Sequence, residues 1–328
     1  MLAFVIQRLL QSVLVMLTVA LIAFALFNFI GDPISNMVGQ DTTIADRERL
    51  RQELGLNDGF VVQFARFVGH AVQGNFGLSY QQARPVGQII LEKMPATLEL
   101  SFMAAFLALI LGVPMGIYTG INRHSWVSQA MLAISLIGVS LPTFLIGILL
   151  ILIFAVTLGW LPSFGRGAVV HVGWWTTGLL TVEGWRAIVL PAITLSLFQL
   201  TLIMRLVRAE MIEVLRTDYI KFARARGLTS RTVNFGHALK NTLVPVVTIT
   251  GLQFGSIIAF AVITETVFQW PGMGLMFIQA VTFADIPVMA AYLVMVGFFF
   301  VVINLVVDLL YYIVDPRLRI DREAAVNG

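Results

Sequence analysis

The sequence predicts an all-α polytopic membrane protein, and three observations lead to that fold class: composition, the placement of charge and the length of the uncharged segments. Of the 328 residues, 58% are hydrophobic and 12% are charged, and the mean hydropathy is +0.89, which excludes a soluble globular protein. The charged residues are confined to short stretches, separated by uncharged runs long enough to cross a bilayer. The net charge of +3 is explained by basic residues kept on one side of a membrane, so no nucleic-acid partner is expected.

Six segments are predicted to cross the membrane as helices of about 20 residues. They are residues 9–30, 99–121, 129–158, 188–208, 244–268 and 287–314. The first is too long for the core of a signal peptide, so we expect it to be retained. Residues 267–284 are also uncharged, but Pro and Gly interrupt them, and a loop or re-entrant turn is expected there.

Basic residues predict that both termini are cytoplasmic. An even number of spans places both termini on one side, and eight basic residues between Arg205 and Lys240 lie on that side. Most basic residues of the opposite side lie in the long loop after the first span, and long loops count little in the positive-inside rule. Residues 1–8 and 315–328 are therefore expected to be cytoplasmic segments.

Two extracytoplasmic segments are long enough to have structure. The first, residues 31–98, contains a helix-compatible stretch at 43–54 that ends at Gly55. A second apolar and aromatic stretch follows at 60–72, so a small helical loop is predicted. The second segment, residues 159–186, carries tryptophans that suit a membrane–water interface: Trp174, Trp175 and Trp185.

Most of the cytoplasmic charge lies in the loop between the fourth and fifth predicted spans. Asp218 is a good N-cap and Gly227 is a good C-terminal stop, which predicts a short helix across the membrane surface. One face of this helix suits a groove on a partner protein. By their spacing, the residues that share this face are Tyr219, Phe222, Ala223 and Arg226.

On spacing alone, these arginines are better explained as positive charges beside anionic lipid. The order of residues 218–228, followed by His-Ala-Leu-Lys-Asn at 237–241, argues for a protein partner. This segment resembles the EAA loop of ABC-transporter permeases, in the form seen in the dipeptide and oligopeptide permease family. The generic EAA pattern is matched in part, with Gly227 on the motif glycine. The resemblance implies an ATPase-coupling helix made of Asp218, Tyr219, Lys221, Phe222, Ala223, Arg224, Ala225, Arg226, Gly227 and Leu228.

Shorter matches to the same family run along nearly the whole chain, and their order is more specific than any one of them. They lie at residues 31–33, 54–56, 74–79, 95–98, 140–144, 161–165, 190–195, 265–268, 271–274 and 315–317.

The resemblance implies a permease subunit of an ATP-driven importer for peptides or similar small solutes in the bacterial cytoplasmic (inner) membrane. Residues 99–314 would form a five-helix permease core that includes the coupling loop 209–243. The implied partners are a second, different permease chain, two ATP-binding subunits, an extracytoplasmic solute-binding protein and membrane lipid. The chain has no Gly-x-x-x-x-Gly-Lys-[Ser/Thr] phosphate loop, so ATP and Mg are expected on the ATPase subunits, and no cofactor or catalytic residue is expected here.

Two acidic residues lie nearest the hydrocarbon, where ionisable groups are usually functional or paired. Asp308 is expected to reach interfacial water. For Glu265, a substrate gate and a structural cap are equally well supported. The candidate outer gate consists of Glu265, Gln269, Pro271 and Gly272.

Other classes of protein fit the sequence less well. An ion-coupled secondary transporter that works without an ATPase is the main alternative, but no matching pair of discontinuous, charge-bearing spans is visible. An intramembrane hydrolase lacks a convincing nucleophile–base pair. The four histidines are scattered, so no metal site is predicted.

Overall fold

The computed structural model describes residues 2–30, 49, 52 and 57–314, and these are mostly helical. The helices are α1 (Leu2–Ile30), α2 (Phe60–Val72), α3 (Val86–Ile121), α4 (Trp126–Ser140), α5 (Thr143–Leu150), α6 (Val182–Val214), α7 (Asp218–Ala225), α8 (Leu239–Val267), α9 (Met273–Thr282) and α10 (Ile286–Val314). Two π-helical segments, Ile151–Thr157 and Thr232–Ala238, follow α5 and precede α8. The all-α prediction is wrong at one place, where Val170–Val172 (β1) and Trp175–Thr177 (β2) form an antiparallel hairpin.

Within the described residues, five helices are long and apolar enough to cross a membrane: α1, α3, α6, α8 and α10. A sixth span exists only if α4 and the helical segment 143–157 are counted together, and these are bent by 109°. The span predicted over 129–158 therefore corresponds to this bent pair and not to one continuous helix. Pro142 immediately precedes α5, and because proline restricts the residue before it and lacks an N–H, the helix breaks there.

The helices extend beyond the predicted apolar runs. The second span, expected to begin at residue 99, belongs to α3, which begins at Val86 and contains Pro95. The helices around 188–208 and 244–268 likewise begin earlier, at Val182 and Leu239. An apolar run marks what can lie in hydrocarbon, whereas backbone hydrogen bonding continues through polar residues on either side.

The short predicted helix at 60–72 is α2, which packs on α1 through an aromatic cluster. The ring of Phe24 lies 5.3 to 5.7 Å from the rings of Phe60, Phe64 and Phe67. Within the predicted helix at 43–54, the structure describes residues 49 and 52, and both are helical. The predicted stop at Gly55, the family matches at 31–33, 54–56 and 315–317, and the tail 315–328 lie outside the described residues.

Helices α3 and α6 form the tightest pair of the bundle, through small residues spaced four apart on α3. A β-carbon at Gly116 would lie 2.5 Å from Cβ of Val207, and Gly112 and Gly120 meet Ile203 and Met211 in the same way. The GxxxG pattern of the sequence therefore serves packing inside this chain.

The two ends of the bundle contain different elements of the fold. Arg8 Nε lies 3.2 Å from Asp308 Oδ2, so the start of α1 lies beside the end of α10. The short helix α7 joins α6 to α8. Because α8 runs from α7 toward the opposite end of the bundle and α10 runs back again, α7 lies at the same end as the last residues of α10. We call this the α7 end. The opposite end, with the turn at residues 268–272, is called the turn end.

Candidate coupling surface and buried carboxylates

The helix α7 is fixed to the bundle by its apolar side. Ile220 is fully buried and Ala223 nearly so, in a cluster that includes Met211 of α6 and Val233. The predicted binding face is therefore wrong in one member, because Ala223 faces the bundle. The sequence analysis missed Ile220 as an anchor, although its three-residue spacing from Ala223 indicates a shared face.

The opposite side of α7 presents an aromatic and basic surface. Phe222 is 64% exposed and Tyr219 is 43% exposed, and the guanidinium of Arg226 lies 5.8 Å from the centre of the Phe222 ring. Lys221 and Arg224 are also exposed. An exposed aromatic ring beside arginine suits a protein contact, because aromatic residues and arginine are enriched in protein–protein interfaces.

The two ends of α7 differ in how well the sequence predicted them. Thr217 has extended backbone angles and precedes the helix, whereas Asp218 is its first residue, so the predicted N-cap at Asp218 is wrong by one position. Asp218 accepts a hydrogen bond from Lys221 at 2.8 Å, which lowers the pKa of that carboxyl. Gly227 has a φ of +79° and ends the helix in the left-handed conformation, as its identity predicts.

Tyr219 connects α7 to the start of α8. Asn241 Nδ2 donates to the Tyr219 hydroxyl at 2.6 Å. With Ile220 packed against α6 and Tyr219 bonded to α8, a displacement of α7 would act on both long helices.

At the turn end, Glu265 is completely buried and bonded on both carboxylate oxygens. Thr97 Oγ1 donates to Oε1 at 2.6 Å, and the backbone N–H of Leu275 donates to Oε2 at 2.9 Å. Thr97 Oγ1 also accepts the N–H of Met273 at 2.8 Å. These contacts favour the structural-cap interpretation of Glu265, while its role as a gate stays a prediction.

The rest of the candidate gate lies in the turn that follows α8. Trp270 is buried and its Nε1 donates to the carbonyl of Ala96 at 2.9 Å, so the turn is fastened to α3. Gln269 is exposed and has a φ of +46°. Pro271 follows at the tip, and Gly272 lies against the Glu265 carboxylate. The structure thus brings Gly272 against Glu265, whereas Gln269 faces outward and donates to the carbonyl of Thr266.

Two further buried carboxylates at the turn end were missed. Glu99 pairs with Arg166 at 2.7 Å, and both side chains are at least 94% buried. Arg166 also donates to the backbone carbonyl of Thr176 in β2, and the N–H of Gly178 donates to Glu99. The hairpin is thereby attached to α3.

The third carboxylate, Asp285, holds the loop before α3. Ser79 Oγ donates to Asp285 Oδ2 at 2.5 Å, and the N–H of Tyr80 donates to Oδ1 at 3.1 Å. Burial, together with the negative charge of Asp285, raises the pKa of Tyr80 to about 12. The only sequence signal for this contact was the family match that ends at Ser79.

Asp308 is paired with Arg8 of α1, and its side chain is 23% exposed. Besides the predicted contact with interfacial water, its carboxylate therefore has a cationic partner. Across the residues that the structure describes, no three histidine, aspartate or glutamate side chains come together as a metal site would require.

A bundle of apolar helices long enough to cross a bilayer defines an integral membrane protein. The chain belongs to the family of binding-protein-dependent transport system inner membrane components, whose model matches residues 112–320. A companion model, for the N-terminal part of these membrane components, matches residues 1–101. The resemblance to ABC-transporter permeases is confirmed.

Relatives match along nearly the whole chain. A dipeptide transport system permease protein of Alkalihalophilus pseudofirmus is 36% identical, with 97% of this chain and 100% of the relative covered. A glutathione transport system permease protein of Escherichia coli is 35% identical, with 97% and 99% covered. Among solved structures, a chain of the inward-facing MetNI methionine ABC transporter matches with a TM-score of 0.54 and 20% identity, over 69% of this chain and 96% of that one. This last likeness shows the fold alone.

Proposed function

We propose that this chain is a permease subunit of an ATP-driven importer that moves peptides or similar small solutes across the bacterial inner membrane. Relatives that transport dipeptides and glutathione, similar over their full lengths, support the substrate class. The observation that carries the coupling role is the geometry of α7, which is anchored by Ile220 and exposes Phe222.

In this proposal the chain works with a second, different permease, two ATP-binding subunits and an extracytoplasmic solute-binding protein. ATP and Mg belong to the ATP-binding subunits. The chain crosses the membrane six times, with α4 and residues 143–157 together forming the third crossing. Both termini and α7 are cytoplasmic, and the turn end is extracytoplasmic.

The proposed coupling step begins at the exposed side of α7. Phe222 enters a groove on an ATP-binding subunit, and Arg224 and Arg226 pair with acidic groups beside it. When the ATP-binding subunits close, α7 moves with them. Ile220 and Tyr219 pass this movement to α6 and α8, which changes the side of the membrane to which the path opens.

Recovery of the ATPase with the tagged chain in mild detergent tests this proposal. Phe222→Glu places a charge in the proposed groove, and Phe283→Glu, a 60% exposed phenylalanine at the turn end, is the matched control. We expect wild type and Phe283→Glu to retain bound ATPase activity and Phe222→Glu to lose it, with all three eluting alike in gel filtration. If wild type carries no ATPase, the secondary-transporter alternative is favoured instead.

A further inference from the structure

A cavity of about 790 Å³ lies between α1, α8 and α10. Its size is within the range of about 300–1,000 Å³ that is common for small-molecule sites. Although the surrounding helices are apolar, several polar side chains line it. They are Gln11 and Ser12 of α1, Gln253 and Ser256 of α8, and Asn304 of α10.

The α8 wall of this cavity belongs to an open helix face. Ile249, Phe260 and Ile263 are exposed on α8, and Gln253 and Ser256 fall between them at three- and four-residue spacing. A helix face turned to lipid would not be expected to carry an amide at its midpoint, because polar side chains inside the membrane normally face the protein interior or water.

Within the described structure, the hydrogen-bonding groups of the cavity amides Asn304 and Gln253 are not all paired. Asn304 Oδ1 is buried and has no hydrogen-bond partner. Behind the cavity wall, Gln199 Nε2 reaches Gln253 Oε1 at 3.5 Å, which leaves Nε2 of Gln253 as the donor on the cavity side. Asn304 and Gln253 both line the cavity, so rotation of each amide can present an acceptor from α10 and a donor from α8.

The two charged residues of the cavity are already engaged. Arg8 and Asp308 line its α7 end and pair with each other at 3.2 Å. The cavity therefore carries paired amide and hydroxyl groups with no net charge, which matches the donor and acceptor pattern of a peptide unit better than that of an ion.

We propose that this cavity receives the main chain of the transported peptide during passage. In this proposal the Asn304 amide turns its unpartnered Oδ1 toward the cavity and accepts the peptide N–H, and Gln253 Nε2 donates to the peptide carbonyl. Because every peptide carries these groups, the contact selects peptide bonds without selecting side chains. This inference rests on the proposed function, since it names how the substrate class is recognised within the membrane.

Uptake of alanyl-alanine is compared with uptake of its analogue methylated on the peptide nitrogen, which cannot donate, in proteoliposomes that hold the complete transporter. Loss of one hydrogen bond is worth up to about tenfold. We expect wild type to favour alanyl-alanine over the analogue, Asn304→Leu to lose about tenfold in kcat/KM and most of that preference, and Asn304→Gln to keep part of it. Gln129→Leu, an exposed amide on α4, is the control and should keep the wild-type ratio.

A second measurement uses the absence of cysteine from the chain. In the assembled transporter, Gln253→Cys and Asn304→Cys are treated with a charged, water-soluble thiol reagent. We expect labelling at both positions, slowed about tenfold by alanyl-alanine at about ten times its half-saturating concentration.

Three results would overturn the inference. Absence of labelling would mean that lipid or a helix of the second permease fills the cavity. Labelling without protection, or an Asn304→Leu variant with the wild-type preference, would remove the peptide contact. Failure of the proposed function looks different, because wild type itself would then show no ATP-dependent uptake.

Discussion

Gly272 lies against the buried carboxylate of Glu265 so closely that a β-carbon at Gly272 would be less than 3.0 Å from both carboxylate oxygens. Its φ of −96° is available to any residue, so space, not backbone conformation, requires glycine here. The same two oxygens accept from Thr97 and from the N–H of Leu275. A side chain at residue 272 must therefore break the contact between the turn and α3.

Gly272→Ala should lower the free energy of unfolding by about 1–3 kcal/mol, since overpacking at this site would leave hydrogen-bonding groups unpaired. Thermal unfolding in detergent, followed by circular dichroism, measures the change. Gly69→Ala is the control, because Gly69 lies in α2 with nothing within 4 Å of an added β-carbon, and it should be neutral or stabilising. Equal melting temperatures for Gly272→Ala and wild type would contradict the structural-cap interpretation.

The buried pair Glu99 and Arg166 gives a second stability prediction. Arg166→Met leaves the Glu99 carboxylate buried without its cation and should cost about 3–5 kcal/mol. The double variant Glu99→Gln with Arg166→Met should be more stable than Arg166→Met alone, because no charge is then left unpaired. A double-mutant cycle on unfolding free energies measures this coupling, and strictly additive effects would show that the pair contributes nothing.

The sequence predicted the features that depend on local pattern. Gly227 ends α7 with a positive φ, and the amphipathic run at 60–72 is a helix. Of the candidate gate, the sequence placed Glu265 and Gly272 in one short segment, and the structure brings them into contact. The bend of 109° at Pro142 could not be predicted, because proline indicates a break in a helix but the angle depends on the helices packed around it.

Contacts between residues far apart in the sequence could not be predicted from local sequence pattern. Glu99 and Arg166 are 67 residues apart, and Ser79 and Asp285 are 206 residues apart. Nothing in the spacing of either pair indicates contact. The second predicted span begins at residue 99, and nothing in its apolar run indicates that Glu99 is buried against a cation.

Substitutions on the two sides of α7 should affect different properties. A change on the buried side should lower the stability of the chain, and a change on the exposed side should weaken binding of the ATPase. Ile220→Ala removes a fully buried side chain and should destabilise the chain by about 2–5 kcal/mol. Phe222→Ala, on the exposed side, should change stability by no more than about 0.5 kcal/mol and still reduce the ATPase activity recovered with the chain. The two readouts are thermal unfolding and co-purified ATP hydrolysis, and a Phe222→Ala variant with full recovery would place the ATPase contact elsewhere.

Tyr219 provides the last prediction, because its hydroxyl joins α7 to α8 through Asn241 at 2.6 Å. Tyr219→Phe keeps the aromatic ring and removes only this bond, so the ATP-binding subunits should still bind and hydrolyse ATP. Movement of α7 would then reach α8 less efficiently, and peptide uptake per ATP hydrolysed should fall. Parallel assays of uptake and phosphate release in proteoliposomes give this ratio, with Tyr118→Phe, a 37% exposed tyrosine on α3, as the control. An unchanged ratio in Tyr219→Phe would mean that the Ile220 anchor on α6 is sufficient for coupling.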